Sequence, residues 1–239
     1  MNQQLTEDGL ALLDGVLATD EQLASYEDCP HDPYMGNGTR YKRFSQYKIF
    51  RGGDGWETEL LPARAYVTPK KFNPVGGGFR RLYSPLVADF TGLVKRLAGE
   101  IGLDPSTPWQ INVHQNRSVA EVTRHGQLTP EGRHKDGHEY VSISVFRRHN
   151  VSGGHTRVWA DKDSGEPLWE RTLEPGQTVL LDDRAVFHDV TDIEPLTPEG
   201  GHRDILIIAY SRWDERWYGD AHDNEALDTE APDGGADAT

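Results

Sequence analysis

The spacing of apolar residues changes character about half-way along the chain. In the first half, residues 10–17 have the spacing of a short helix, and residues 41–50 and 59–67 have the alternation of strands. A longer helix is predicted over residues 84–102, because apolar side chains recur there at three- and four-residue intervals between a Ser-Pro start and a terminal glycine. This half therefore predicts a mixed α/β extension.

Beyond residue 108 the apolar runs become short and are separated by turn residues, with no helical pattern between them. Such runs are typical of an antiparallel sandwich or barrel rather than of a parallel α/β sheet. We expect one mainly-β domain over residues 1–219, with helices only on its outside. The predicted strands cover residues 109–115, 140–147, 155–160, 168–173, 178–181, 185–190 and 203–212.

The net charge of the chain disfavours two classes of binding partner. The chain has 25 Lys and Arg against 39 Asp and Glu, a net charge of −14, which repels nucleic acid and anionic membranes. Residues 220–239 contain seven acids and no Lys or Arg, so we predict a disordered acidic tail there. No apolar run is long enough to span a membrane, and the single cysteine, Cys29, suits a reducing cytoplasm.

Three residues form a candidate metal-binding set. His134 and Asp136 are two positions apart, so on extended chain their side chains point to the same side. His188 shares the side of its predicted strand with Val186 and Val190, which indicates a buried face. Two imidazoles and one carboxylate on one face of an octahedron leave three positions open, the arrangement of non-heme Fe(II) oxygenases.

An iron that activates dioxygen needs a two-electron co-reductant. A chelating 2-oxo acid fills two of the open positions and leaves the third for O2. Its distal carboxylate then requires a cation, and Arg203 begins the apolar strand that follows His188. The planar guanidinium fork suits a bidentate carboxylate, so Arg203 is the predicted anchor.

Four separated motifs, in this order, resemble a known family. They are PEGRHKDG at residues 130–137, RHNVSGG at 148–154, VFH at 186–188 and HRDIL at 202–206. Together they resemble the 2OG-Fe dioxygenase family of bacterial free amino acid hydroxylases, the group that contains L-isoleucine 4-hydroxylase. The resemblance covers about residues 109–211.

The resemblance implies both a fold and a ligand set. The implied fold is a double-stranded β-helix, a cupin-like jelly-roll barrel. Fe(II) would be bound by His134, Asp136 and His188, and 2-oxoglutarate anchored by Arg203. The implied activity is hydroxylation of a C–H bond of a free L-amino acid or a close derivative, with O2 consumed and succinate and CO2 formed. Ascorbate would serve as the reductant in vitro.

The segment His114-Gln115-Asn116-Arg117 also resembles a stretch of this family. A zwitterionic substrate needs an acceptor for its ammonium and a donor for its carboxylate. Gln115 and Arg117 share one face of the predicted strand and His114 and Asn116 share the other, so either pair could line the pocket. We take Gln115 and Arg117 as the predicted substrate contacts.

Two alternatives remain open at this point. The same cofactors could drive desaturation or cyclisation of an amino-acid-derived biosynthetic intermediate, because redirecting the substrate radical needs no change in the ligand set. In a second alternative the protein is a non-catalytic jelly-roll module that binds a metal or a small molecule, and the ligand set is structural. His155, after the glycine pair, departs from the family pattern and leaves the identity of the substrate open.

Overall fold

The computed structural model describes residues 5–6, 8–34 and 37–228, without the side chain of Asp228. Twelve strands and three α-helices are formed by these residues. In chain order they are β1 (Leu10–Leu13), α1 (Asp20–Ala24), β2 (Arg40–Arg51), β3 (Trp56–Leu60), α2 (Thr91–Ile101), β4 (Trp109–Ala120), β5 (Tyr140–His149), β6 (Val151–Gly153), β7 (His155–Trp159), β8 (Trp169–Thr172), β9 (Thr178–Asp182), β10 (Phe187–Val190), β11 (Ile193–Pro195), β12 (Gly201–Arg212) and α3 (Asp220–Asp228).

A large antiparallel sheet forms the main wall of the molecule, with strand order β1-β9-β5-β12-β4-β2-β3. A smaller sheet, β10-β7-β8, packs over its inner face, where Val158 of β7 joins Val141 of β5 and Val179 of β9 in one apolar cluster. Strands β11 and β6 pair with each other and form a third, two-stranded sheet. Two facing antiparallel sheets around one core confirm the predicted mainly-β, jelly-roll architecture.

The outer face of the large sheet is covered by α2. Leu93, Val94 and Leu97 of this helix are buried against outward residues of the sheet such as Ile208. The helix ends at Gly102, whose φ of +77° is the left-handed conformation that glycine adopts without strain. The amphipathic stripe predicted from sequence therefore packs on the sheet, as its period indicates.

Three predictions for the first half of the chain are wrong, two about where an element lies and one about its type. Helix α2 begins at Thr91, because the preceding segment is tied to β2 by the bonds Phe44 N to Ser84 O and Leu86 N to Ser45 Oγ. Residues 10–13 form β1 and not a helix, since they pair with the edge of β9. A short apolar run does not distinguish a strand from a buried helix by period alone. The second strand ends at residue 60, where its hairpin with β2 ends.

The prediction of a disordered tail from residue 220 is also wrong for its first part. Residues Asp220–Asp228 form α3, in which Asp223 and Ala226 are buried. Arg64 donates to the carboxylates of both Asp220 and Asp223, and acids in a first helical turn are favoured by the helix dipole. The remaining part of the predicted tail, 229–239, lies outside the described residues. No helix in the described part of the chain is long and apolar enough to cross a membrane.

Candidate active site

The register of three neighbouring strands sets which side chains face the cavity between the two sheets. Strands β2, β4 and β12 pair without a shift, so residues opposite one another share a face. Three rows of inward side chains cross the sheet in this way, namely Arg40-Ser118-Arg203, Lys42-Asn116-Ile205 and Phe44-His114-Ile207.

The predicted metal ligands lie together at the mouth of this cavity. One nitrogen of each histidine and one carboxylate oxygen of Asp136 all lie within 4.8 Å of one another. A pair of backbone hydrogen bonds joins His134 to His188 on β10, at 3.0 and 2.9 Å. The His134 Nδ1 atom lies 2.9 Å from the carbonyl of Gly132, so donation to that oxygen leaves Nε2 facing Asp136, 3.5 Å from its Oδ1.

The loop that carries Asp136 is held by a carboxylate that the sequence did not reveal. Asp183 is 1% exposed and accepts the backbone N–H groups of Asp136, Gly137 and His138 at 3.0, 2.7 and 3.0 Å. One of its oxygens also lies 3.8 Å from His188 Nδ1. Asp183 therefore orients the loop that carries Asp136, as outer partners of metal ligands commonly do, while His188 Nδ1 has no hydrogen-bond partner among the described residues.

The charges of the triad are strongly coupled. Although burial disfavours its charged form, the carboxylate of Asp136 raises the pKa of His134 to about 9. Burial, followed by the charge of His134, lowers the pKa of His188 to about 4. Despite burial, the two imidazoles lower the pKa of Asp136 well below its usual range. Burial and the charge of Asp136 raise the pKa of Asp183 to about 7, against its three N–H donors.

This donor set fits a divalent transition metal. It offers two imidazole nitrogens and one carboxylate oxygen from one side, while the cavity lies on the other side. A set of this kind with open positions is the facial triad of non-heme Fe(II) enzymes. Imidazole binds a metal in its neutral form, so metal binding would displace the proton that Asp136 favours on His134.

Arg203 lies in the same cavity and is 1% exposed. Its Nε and Nη2 atoms have no hydrogen-bond partner among the described residues, and the nearest charge that acts on it is another cation, Arg148. Burial and the charge of Arg148 lower the pKa of Arg203 to about 9. A buried guanidinium with unpartnered N–H groups fits the distal carboxylate of 2-oxoglutarate.

The predicted substrate contacts Gln115 and Arg117 face away from the cavity, so this prediction is wrong. Arg117 donates to both oxygens of Asp204, at 2.7 and 2.8 Å, and to both oxygens of Glu27. Gln115 donates to Ser25 Oγ at 2.8 Å. The segment around α1, which contains Ser25 and Glu27, covers the outer side of β4. The other pair, His114 and Asn116, lines the cavity.

Three further charged residues line the cavity close to the triad. Lys42 and Arg81 are 6% and 3% exposed, and the side chain of Glu131 is 8% exposed. Glu131 Oε1 lies 3.8 Å from His134 Nε2 and accepts a hydrogen bond from Asn73, while Oε2 has no described partner. None of the three was predicted from the sequence, although Glu131 lies within the motif at residues 130–137 and Lys42 lies on a predicted strand, on the side that faces the cavity.

Comparison with known proteins decides the family. The model of the 2OG-Fe dioxygenase family matches residues 23–209, which include every ligand described above. The chain belongs to the 2OG-Fe dioxygenase family. It is therefore an Fe(II)- and 2-oxoglutarate-dependent dioxygenase that uses O2, as its motifs predicted, and not a non-catalytic binding module.

Solved structures share the fold over most of the chain. A BsmA homologue from Methylobium petroleophilum PM1 is 27% identical, with a TM-score of 0.72 over 86% of this chain and 89% of that chain. IDO from Bacillus thuringiensis is 20% identical, with a TM-score of 0.66 over 86% and 91%. The Fe(II)/α-ketoglutarate-dependent dioxygenase TqaL is 16% identical, with a TM-score of 0.58 over 85% and 82%. No curated protein matches the chain in sequence.

Proposed function

We propose that this dioxygenase hydroxylates a C–H bond of a free L-amino acid or a close derivative, with succinate and CO2 as co-products. The observation that carries the proposal is the carboxylate of Glu131, buried beside His134 with one oxygen unpartnered, in a cavity that also contains unpaired cations. Buried charges are stable only when they are paired, so the cavity requires a ligand of mixed charge. An amino acid brings an ammonium for Glu131 and a carboxylate for a cation.

The chain itself positions the reactants. His134, Asp136 and His188 would hold Fe(II), and Arg203 would hold the distal carboxylate of 2-oxoglutarate. When bound, Fe(II) supplies the activation of dioxygen, with 2-oxoglutarate as co-reductant, for insertion of oxygen into a C–H bond. Glu131 fixes the amino group of the substrate near the triad, so that one C–H bond is presented and others are not.

The apolar part of the cavity wall keeps water from the reacting groups. Ile143, Ile205 and Ile207 line the same cavity as Arg203 and the triad. A dry wall strengthens each ion pair made with a ligand, because the effective dielectric constant is low there. It also leaves the orientation of the substrate to the few charged groups that reach the cavity.

The proposal is tested by mass spectrometry on the purified protein with Fe(II), ascorbate, 2-oxoglutarate and a panel of L-amino acids. We expect succinate together with a one-oxygen mass gain in an amino acid. A two-hydrogen mass loss would instead indicate desaturation or cyclisation. Succinate formation without a product from any amino acid would contradict the proposed class of substrate but not the family.

The variant Glu131→Gln tests whether Glu131 binds the ammonium group of the substrate. It keeps the volume of the side chain and removes the charge, so we expect the KM for the amino acid to rise at least about tenfold. The matched control is Glu121→Gln, because Glu121 is an exposed acid whose partner is Arg124, outside the cavity. An unchanged KM in Glu131→Gln would show that Glu131 does not bind the ammonium.

A further inference from the structure

A neutral zwitterionic amino acid does not neutralise all the buried charged side chains that line the cavity. Lys42 and Arg81 are both buried, both line the cavity, and neither forms an ion pair with a described residue. Arg40 also lines the cavity but is neutralised by Asp32 at 2.8 Å. Lys135, another lining cation, donates to the backbone carbonyl of Arg184. Once Arg203 is assigned to 2-oxoglutarate, two buried cations, Lys42 and Arg81, and the carboxylate of Glu131 remain for the substrate.

Lys42 is held by aromatic rings rather than by carboxylates. Its Nζ atom lies 4.9 Å from the ring centroid of Tyr83 and 5.9 Å from that of Tyr66. Burial and the charges of Arg40 and Arg81 lower its pKa, against the attraction of Asp32. An ammonium that is desolvated and forms no ion pair is costly, which favours an anionic ligand at this point.

Arg81 is placed beside the loop that contacts Glu131. It donates to Thr68 Oγ1 at 2.8 Å and stacks on the ring of Tyr66 at 4.8 Å, while its Nε has no described partner. Thr68 accepts the backbone N–H of Gly78 across the loop that contains Asn73, and Asn73 donates to Glu131. The guanidinium and the carboxylate thus both contact the loop of residues 68–78, and both line the same cavity.

From this arrangement we infer that the substrate is an acidic amino acid, with its side-chain carboxylate on Lys42, its α-carboxylate on Arg81 and its ammonium on Glu131. The inference rests on the proposed function and specifies its substrate class. A neutral amino acid leaves one buried cation unpaired, whereas a dicarboxylic one pairs all three groups. Both cations contact the Tyr66 ring, with Lys42 Nζ 5.9 Å and the Arg81 guanidinium carbon 4.8 Å from its centroid.

The experiment compares acids with their amides, which have almost the same shape. Holoenzyme at saturating 2-oxoglutarate is assayed with L-aspartate, L-glutamate and L-2-aminoadipate against L-asparagine and L-glutamine, with product and succinate measured together. Binding of the same compounds is measured by calorimetry without oxygen. We expect kcat/KM for the best acid to exceed that of its amide at least tenfold, the magnitude of about one charged hydrogen bond.

The variant Lys42→Met removes the charge and keeps the length of the side chain. It should lower kcat/KM for the acid about 10- to 100-fold and that of the amide less than about threefold, with the co-substrate KM nearly unchanged. The control is Lys48→Met, because Lys48 also lies on β2 and over a ring, that of Trp213, but outside the cavity. Thermal unfolding verifies that both variants are folded.

The outcomes separate the two proposals. If neutral amino acids are hydroxylated as well as acids, and Lys42→Met behaves as the control, the inference is overturned while the proposed function stands. A selective rise in the co-substrate KM in Lys42→Met would also overturn it, since Lys42 would then bind 2-oxoglutarate. If no amino acid is oxygenated or bound, both proposals fail.

Discussion

Replacing Arg203 by Met should stabilise the protein without ligand and weaken the binding of 2-oxoglutarate. The two effects have opposite signs because the guanidinium is buried, with two N–H groups that have no described partner. Without the ligand its charge is desolvated and uncompensated, whereas with the ligand it forms a bidentate ion pair. A residue that served only the fold would lose stability on substitution and leave the affinity unchanged.

The size of the first effect follows from the pKa of Arg203. Its fall from the ordinary value of an exposed arginine to about 9 corresponds to roughly 5 kcal/mol against the protonated side chain in the folded protein. Because the protonated form is disfavoured, this cost is fully present below about pH 9 and fades as the pH rises above that value. Met also loses some contacts of the longer side chain, so we expect a net gain of about 1–4 kcal/mol at pH 7.

Urea denaturation at pH 7, with and without 2-oxoglutarate, measures both effects on the same samples. The ligand should stabilise the wild type much more than Arg203→Met, and calorimetry should give a dissociation constant raised on the order of 100-fold in the variant. Arg212→Met is the control, since Arg212 lies on the same strand and is 43% exposed. Its free energy of unfolding should change by less than about 0.5 kcal/mol. Lower stability of Arg203→Met with unchanged affinity would refute the reasoning.

Two other substitutions distinguish a residue that positions the metal ligands from a residue that only stabilises the fold. Asp183→Ala removes the acceptor of three backbone N–H groups, so we expect a loss of roughly 3 kcal/mol in urea denaturation and a 10- to 100-fold weaker affinity for iron. Unchanged iron affinity would contradict its positioning role. Arg117→Ala leaves Asp204 buried with only the more distant Arg147 and His202, at 3.7 and 3.9 Å, so about 3 kcal/mol should be lost, while the KM values of the folded variant stay within about twofold. A large rise in either KM would place Arg117 in the cavity after all.

The sequence was sufficient to predict which three residues form the candidate triad, because their grouping depends largely on short-range geometry. His134 and Asp136 are related by the two-residue repeat of extended chain, and His188 and Arg203 each lie in a strand with a clear apolar pattern. The choice between Gln115 and Asn116 depends on a different property. Alternation shows which side chains share a face, but the inner face is decided by what covers β4, and that segment lies far away in the sequence.

The groups that the sequence did not reveal are those whose role comes from distant contacts. Asp183 belongs to a turn that resembles any other, and its role follows from donors that are 45 to 47 residues earlier. Arg81 lies in a segment without regular structure, so no period places it in the cavity. Helix α3 depends on Arg64, more than 150 residues away along the chain, which compensates two of its acids.

Whether a buried charge serves the fold or a ligand is visible in its partner. On the outer face of β12 and β4, Asp204 and Arg117 neutralise each other, so that pair is complete in the protein alone. On the inner face, Arg203 and Lys42 have no carboxylate partner among the described residues, although the chain has an excess of acids that could supply one. An unpartnered buried cation lowers stability, so its presence in an acidic protein indicates that bound anions complete the site. By that argument the unpaired cations of the cavity correspond to the anionic groups of its ligands.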